Sequence, residues 1–320
     1  MSKPAAPSAS ELPRELPLVG RKNDLDRLYR VFGHETRVEP MVLMTGDPGV
    51  GKSRLAEVVA AEAARRGWTV ASGRAYPVET GMPYNLLSDA FLPMLREYDE
   101  AALTVLTRGK SGDLRQLFPA LGGAEVELDG WDPGELRTRL YWSFTEFLKR
   151  LAERAPLLIV AEDLHWADAS SLSLLHFVIR QLQGDRIRVL GTVSSGYGLE
   201  IDSLDHLERS LTSLGILERH ELSPITPEAT EELLRALFQV SGPPLREFSS
   251  HLYEWTHGNP YFLEETLKTL VHTGRLYQRD GTWLGWDLQH LDLPGSIRDA
   301  VLLRLRTPRP TRARSRSWCR

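Results

Sequence analysis

The sequence predicts an α/β fold: a doubly wound, mostly parallel five-stranded sheet with a helical insertion, followed by a helical second domain. Three observations carry this. Short apolar runs recur between residues 41 and 222, separated by stretches of helical periodicity, and strands alternating with helices build parallel sheets. The first run leads through Gly46-Asp47-Pro48-Gly49-Val50-Gly51-Lys52-Ser53 into an Ala-rich stretch. From Ser223 onward the strand pattern gives way to helix starts and turns.

Taken in order, Met1 to Pro17 is rich in Pro, Ser and Ala without an apolar core, so residues 1–17 read as a disordered tail and not a signal peptide. Met41 to Thr45 is a short buried strand, and Lys52 to Arg66 a helix stopped by Gly67. Further strands fall at Trp68 to Ser72, Leu157 to Ala161, Ile187 to Thr192 and Leu217 to Leu222. The insertion lies between the second and third, with helices over Pro83 to Tyr98, near Asp113 to Leu121, and over Pro133 to Arg154. In the last, Leu136, Leu140, Phe144, Phe147, Leu148 and Leu151 share one face, the mark of a core helix. Thr226-Pro227 starts a helix over Glu228 to Val240, which Gly242-Pro243-Pro244 ends. Leu245 to Thr256 and Pro260 to Thr273 are helices, Leu276 to Trp286 a hairpin turning at Asp280-Gly281, and Ser296 with Asp299 opens a last helix. The domains expected are 18–222 for the sheet, 223–305 for the helical part, and 306–320 for a basic tail.

The chain's 320 residues are 42% hydrophobic and 26% charged, ordinary globular composition with enough apolar matter for a sizeable core. No apolar run approaches the roughly 18 residues of a membrane span, so no membrane association is expected and the location expected is cytoplasmic. One cysteine, Cys319, leaves no internal disulfide, and the nine histidines show no metal-ligand spacing. Net charge is −4, yet seven of the 39 basic residues are arginines within 304–320, leaving 32 against 43 acidic residues, or −11, before them. An acidic body with a basic tail reads either as a nucleic-acid arm or as the product of a frameshift or truncation. The abrupt change inside the helical pattern Val301-Leu302-Leu303-Arg304-Leu305 favours the second.

Two glycines bracketing four residues before Lys-Ser form a complete phosphate loop, and the fold it announces is that of a P-loop NTPase. Glycines let backbone N–H groups close on phosphate oxygens at the positive end of a helix. Lys52 adds charge towards the β and γ phosphates, and Ser53 a hydroxyl for Mg²⁺. The loop residues Gly46 to Ser53, with Arg54, are therefore the candidate nucleotide-binding set. Hydrolysis needs acids at a neighbouring strand end. Leu157-Leu158-Ile159-Val160-Ala161-Glu162-Asp163 supplies them. Glu162 is assigned to Mg²⁺ through its water shell and Asp163 to positioning the attacking water, with Lys52 as the third catalytic residue; the two acids' roles are exchangeable. His165 reads equally as packing or as a group coupled to nucleotide state, and Trp166 as packing. Gly191-Thr192-Val193-Ser194-Ser195-Gly196 nearly spells a serine-hydrolase elbow, but Thr192 stands at the leading glycine and no triad is evident.

Leu18-Val19-Gly20-Arg21 with Leu25 and Leu28, the phosphate loop, Glu162-Asp163-Leu164-His165-Trp166-Ala167-Asp168, and Gly258-Asn259-Pro260-Tyr261-Phe262-Leu263-Glu264-Glu265 together resemble the AAA-type ATPase module of STAND signalling proteins. More narrowly, they resemble the module of large ATP-binding LuxR-type regulators and soluble adenylyl cyclase-like proteins. The resemblance implies ATP with Mg²⁺, adenine contacts from Val19, Gly20 and Arg21, and a further base contact from Pro260 in a helical lid. It implies a regulatory switch, with self-association or a partner protein left open. At Ser194 the family usually has an arginine that senses the γ-phosphate; its absence implies slow hydrolysis or an arginine from elsewhere, such as Arg298 or a partner subunit. No effector or helix-turn-helix domain is recognised, so DNA binding is not expected from this chain alone. A DNA-associated ATPase of the origin-recognition type and a binding-only nucleotide scaffold are the alternatives.

Overall fold

Five short strands form a wholly parallel sheet in a computed structural model, which describes residues 12, 13, 15–32, 39–79, 81–119, 132–196, 202–279 and 282–286. The strands are β1 Met41–Gly46, β2 Thr69–Arg74, β3 Leu157–Glu162, β4 Ile187–Ser194 and β5 Leu217–Glu221, in the spatial order β2-β3-β4-β1-β5. All of them lie in the first of two compact units, Lys22–Leu222. β1 and β3 are buried along their whole length, as a sheet covered on both faces requires.

The period-two alternation of side chains distributes each strand between two cores. Met41 and Leu43 of β1, with Leu157, Ile159 and Ala161 of β3, join one apolar cluster. It is completed by α3 Asn85–Leu95, α5 Pro133–Arg154, α6 Ala169–Gln181 and α7 Asp202–Ser213. Val42, Met44, Leu158 and Val160 face the opposite way, against α1 Lys22–Leu28 and α2 Lys52–Arg65. Phe91, Phe118, Phe144 and Phe147 interlock in the first core, with Phe91 edge-on to Phe144 at 5.5 Å. α5 begins where the side chain of Asp132 accepts hydrogen bonds from the Gly134 and Glu135 N–H groups, ahead of Pro133 at the first helical position.

The insertion differs in detail from the expectation. A helix, α4, occupies Glu100–Thr107, where Asp99 caps the Ala102 N–H. The stretch expected as helix near Asp113 to Leu121 holds instead a single 3-10 turn, Ser111–Leu114. Asp113 there accepts from Arg139 and Ser143 of α5, so tertiary bonds outweigh local propensity.

The second unit comprises the described residues of Met1–Arg21 and Ser223–Arg320. Its helices are α8 Pro227–Phe238, α9 Pro243–Thr256 and α10 Pro260–His272, followed by the hairpin strands β6 Tyr277–Arg279 and β7 Thr282–Leu284. Thr226 and Asn259 cap α8 and α10 through their side-chain oxygens. The pair Pro243-Pro244, read above as ending a helix, opens α9: proline at N1 has no N–H to leave unpaired. Leu233, Phe238, Phe248, Leu252 and Leu267 form the core of this unit, and Val19 packs on it. The hairpin turn at Asp280-Gly281, the helix expected from Ser296, Arg298 and the basic tail lie outside the described residues.

Candidate phosphate-binding site

The segment from β1 into α2 turns on backbone conformations that only glycine takes readily. Gly49 and Gly51 have φ of 77° and 104°. A Cβ on Gly46 would lie 2.5 Å from the Leu222 carbonyl oxygen. Val50, fully buried, anchors the loop, while Pro48 and Gly49 stand exposed at its tip. Gly51 is the N-cap of α2 and provides no side-chain acceptor for the first-turn N–H groups. A helix start of this kind presents donors and positive potential to an anion.

Lys52 is buried, with its ammonium donating to the carbonyl oxygens of Gly46 at 2.9 Å and Asp47 at 3.0 Å. Burial lowers its pKa from the ordinary value, and the carboxylates of Asp163 and Asp47 oppose that shift. Its charge is thus held at the loop. Ser53 is half-buried in the first turn of α2, and Arg54 reaches Glu57 at 3.5 Å.

At the end of β3, Glu162 is buried and Asp163 half-buried. Asp163 takes a left-handed conformation, φ 56° and ψ 44°, unusual for a residue with a Cβ and a source of strain at functional turns. Its N–H donates to Thr192 Oγ1 of β4 at 2.9 Å. Arg74, the last residue of β2, was missed from sequence. Its guanidinium donates to Glu162 Oε2 at 2.7 Å and lies 3.8 Å from Asp163 Oδ2. The register of β2 on β3 sets Arg74 opposite Glu162, so the signal was an arginine at the end of the strand next to the acids.

β4 separates the acid strand from the loop strand and touches both. Ser194 lies in register with Gly46, and the Ser195 N–H donates to the Gly46 carbonyl at 2.9 Å. The Ser194 N–H in turn donates to His165 Nδ1 at 3.4 Å. That bond uses the backbone of Ser194 and not its hydroxyl, so it is no nucleophile–base pair. Burial lowers the His165 pKa, Asp163 opposing and Lys52 adding to the effect, which favours the neutral, accepting imidazole. Asp168, at the end of the acid-bearing string, accepts from the N–H groups of Tyr84 and Ser171 and from the Ser171 hydroxyl. It caps α6 and holds the start of α3.

The donor set fits a magnesium-bound triphosphate: an uncapped helix start, a lysine held at the loop, a first-turn hydroxyl and an acid pair joined to the loop by β4. The profile of the AAA ATPase domain family matches residues 17–190. The chain belongs to the AAA ATPase domain family. Within the matched AAA domain lie the phosphate loop, Arg74, the acid pair and β4 as far as Leu190. An uncharacterized protein of Rhizobium meliloti (strain 1021) is 24% identical over 262 residues, 76% of this chain and 25% of that protein. The chain thus spans about a quarter of that relative's length. Among solved structures, the Aeropyrum pernix ORC2 protein aligns over 97% of this chain and 74% of its own, at 15% identity and a TM-score of 0.43. AMPPCP-bound DnaA from Aquifex aeolicus aligns over 80% and 62%, at 13% identity and 0.45.

The remaining candidate residues belong to the second unit. Val19 packs on its core, and the buried Arg21 donates to the Ser223 carbonyl at 2.7 Å. Gly20 has φ 65°, and Pro260 sits half-buried at the first position of α10. Among the described residues, no helix is long and apolar enough to cross a membrane.

Proposed function

We propose that the chain binds ATP with Mg²⁺ on the phosphate loop and hydrolyses it slowly, as the regulatory switch module of a STAND-type signalling protein. The observation that carries the reading is the hydrogen-bonded link from Gly46 through Ser194 to the turn after Asp163, which ties the phosphate loop to the acids. Loop N–H groups, Lys52 and Arg54 hold the triphosphate; Ser53 and Glu162 hold the metal, which neutralises phosphate charge when bound. Asp163, the more exposed acid, orients the water that attacks the terminal phosphorus and releases ADP. The acids' roles remain exchangeable. The adenine contacts at Val19, Gly20, Arg21 and Pro260, and residues 223–305 as a lid to the 18–222 domain, rest on the family resemblance.

Slow turnover follows from charge. Ser194 carries none, and Arg74 is engaged by Glu162, so a cation to stabilise the transition state must come from elsewhere. Rates on the order of 10⁻³ s⁻¹ are typical of phosphate-loop enzymes in that condition.

Nucleotide affinity and turnover of the wild type, Lys52→Ala and Asp163→Ala test the reading. Lys52→Ala should lose binding, and Asp163→Ala should bind without turnover. Equal turnover in all three would overturn the hydrolase. Turnover in the wild type that rises with DNA and falls steeply with salt would favour the origin-recognition type instead. Tight binding without turnover would leave the scaffold.

A further inference from the structure

His176 and His206 show no metal-ligand spacing in sequence, but α6 and α7 bring them together. Their ring centres lie 5.5 Å apart with planes inclined at 51°. Both line a cavity of about 410 Å³, with Ser173, Asp202 and Ser203 beside them. Two imidazoles sharing one ion at metal–nitrogen distances of about 2.0–2.1 Å hold their ring centres roughly 5–6 Å apart. The observed spacing falls in that range.

The surroundings suit ligation. His176 Nε2 lies 2.8 Å from Ser210 Oγ, a bond that fixes the ring as outer hydrogen bonds do for ligating histidines. Asp202 lies one helical turn before His206 and adds negative charge to the same cavity. The geometry points to a two-histidine site for a divalent transition-metal ion between α6 and α7.

Among the described residues no three ligating side chains converge on one point. His176 and His206 therefore supply the two protein nitrogens, and water completes the shell. Imidazole suits zinc, copper and nickel, whereas Mg²⁺ prefers oxygen, so this ion is distinct from the one proposed at the phosphate loop. Its effect is to fasten α6, which starts just after the acid pair, to α7, which leads to β5.

Calorimetric titration of the nucleotide-free full chain with Zn²⁺ tests the site, using wild type, His206→Ala, Ser210→Ala and Lys52→Ala. The wild type should bind one ion that excess Mg²⁺ does not displace. Loss of the outer bond in Ser210→Ala should weaken binding about tenfold, and His206→Ala should weaken it further. Lys52→Ala should bind zinc like the wild type. His206 is exposed, so the metal-free variant should melt like the wild type. Absence of zinc binding by the wild type, or equal affinity in wild type and His206→Ala, would overturn the site and leave a ring contact only.

Discussion

Replacing Arg74 by alanine should destabilise the nucleotide-free protein and sharpen its response to Mg²⁺. The Glu162 side chain is 9% exposed and its partner Arg74 37% exposed. Opposite charges about 4 Å apart at an effective dielectric of 20 attract by about 4 kcal/mol. Stripping one partner from a fully buried pair costs about 3–5 kcal/mol, because the other charge stays buried alone. A guanidinium more than a third exposed is screened, which reduces the expected loss to about 1–2 kcal/mol. The urea midpoint of Arg74→Ala should fall accordingly, at an unchanged slope. Under the proposed reading Arg74 and Mg²⁺ compete for the Glu162 carboxylate, so removing the arginine removes a competitor. A release of about 1.4 kcal/mol would lower the Mg²⁺ concentration for half-maximal ADP binding about tenfold. Arg74→Lys keeps the charge without the planar fork and should fall between. An unchanged urea midpoint together with unchanged Mg²⁺ dependence would refute the argument.

Two further outcomes are expected. Gly46→Ala would place a methyl group 2.5 Å from the Leu222 carbonyl and 3.2 Å from Val50 Cγ1; backbone cannot yield as a side-chain tip does, so stability should drop by about 2 kcal/mol or more. Scanning calorimetry checks this, and a melting temperature equal to wild type would count against so close an approach of Gly46 to Leu222. His165 has a pKa below its ordinary 6.5 in the fold, so on acidification the unfolded chain takes up the proton first. Its contribution is nil well above pH 6.5 and becomes a growing penalty as pH falls below that, levelling off under the folded pKa. His165→Gln should flatten part of the acid decline in the urea midpoint, the similarly shifted His176 retaining its share. Parallel declines in variant and wild type would show that His165 contributes none.

What could be read in advance was what neighbours in sequence decide. A strand, a glycine loop and a helix are contiguous at Met41 to Arg65, and an apolar run ending in two acids announces its own strand. Arg74 could not be found that way, because its link to Glu162 depends on which strand lies beside β3 and in which register. Pro243-Pro244 illustrates a local ambiguity, since proline both stops a helix before it and starts one after it. The 3-10 turn at Ser111–Leu114 depended on Arg139 and Ser143, residues brought to Asp113 only by folding. Asp168, part of the string that carries the family resemblance, acts as a cap whose partner Tyr84 lies far upstream.

The position of β1 also bears on how the chain is born. Met41 pairs with Val189 and with Leu217, so the strand that carries the phosphate loop leaves the ribosome long before either neighbour has been translated. During that interval its six apolar-rich residues have no edge to join, and pairings so distant in sequence close slowly. A pause in translation anywhere before β4 would lengthen the exposure and with it the risk of aggregation. The bond from the Ser195 N–H to the Gly46 carbonyl, which joins the loop to the end of β4, likewise forms only after residue 195 has been translated.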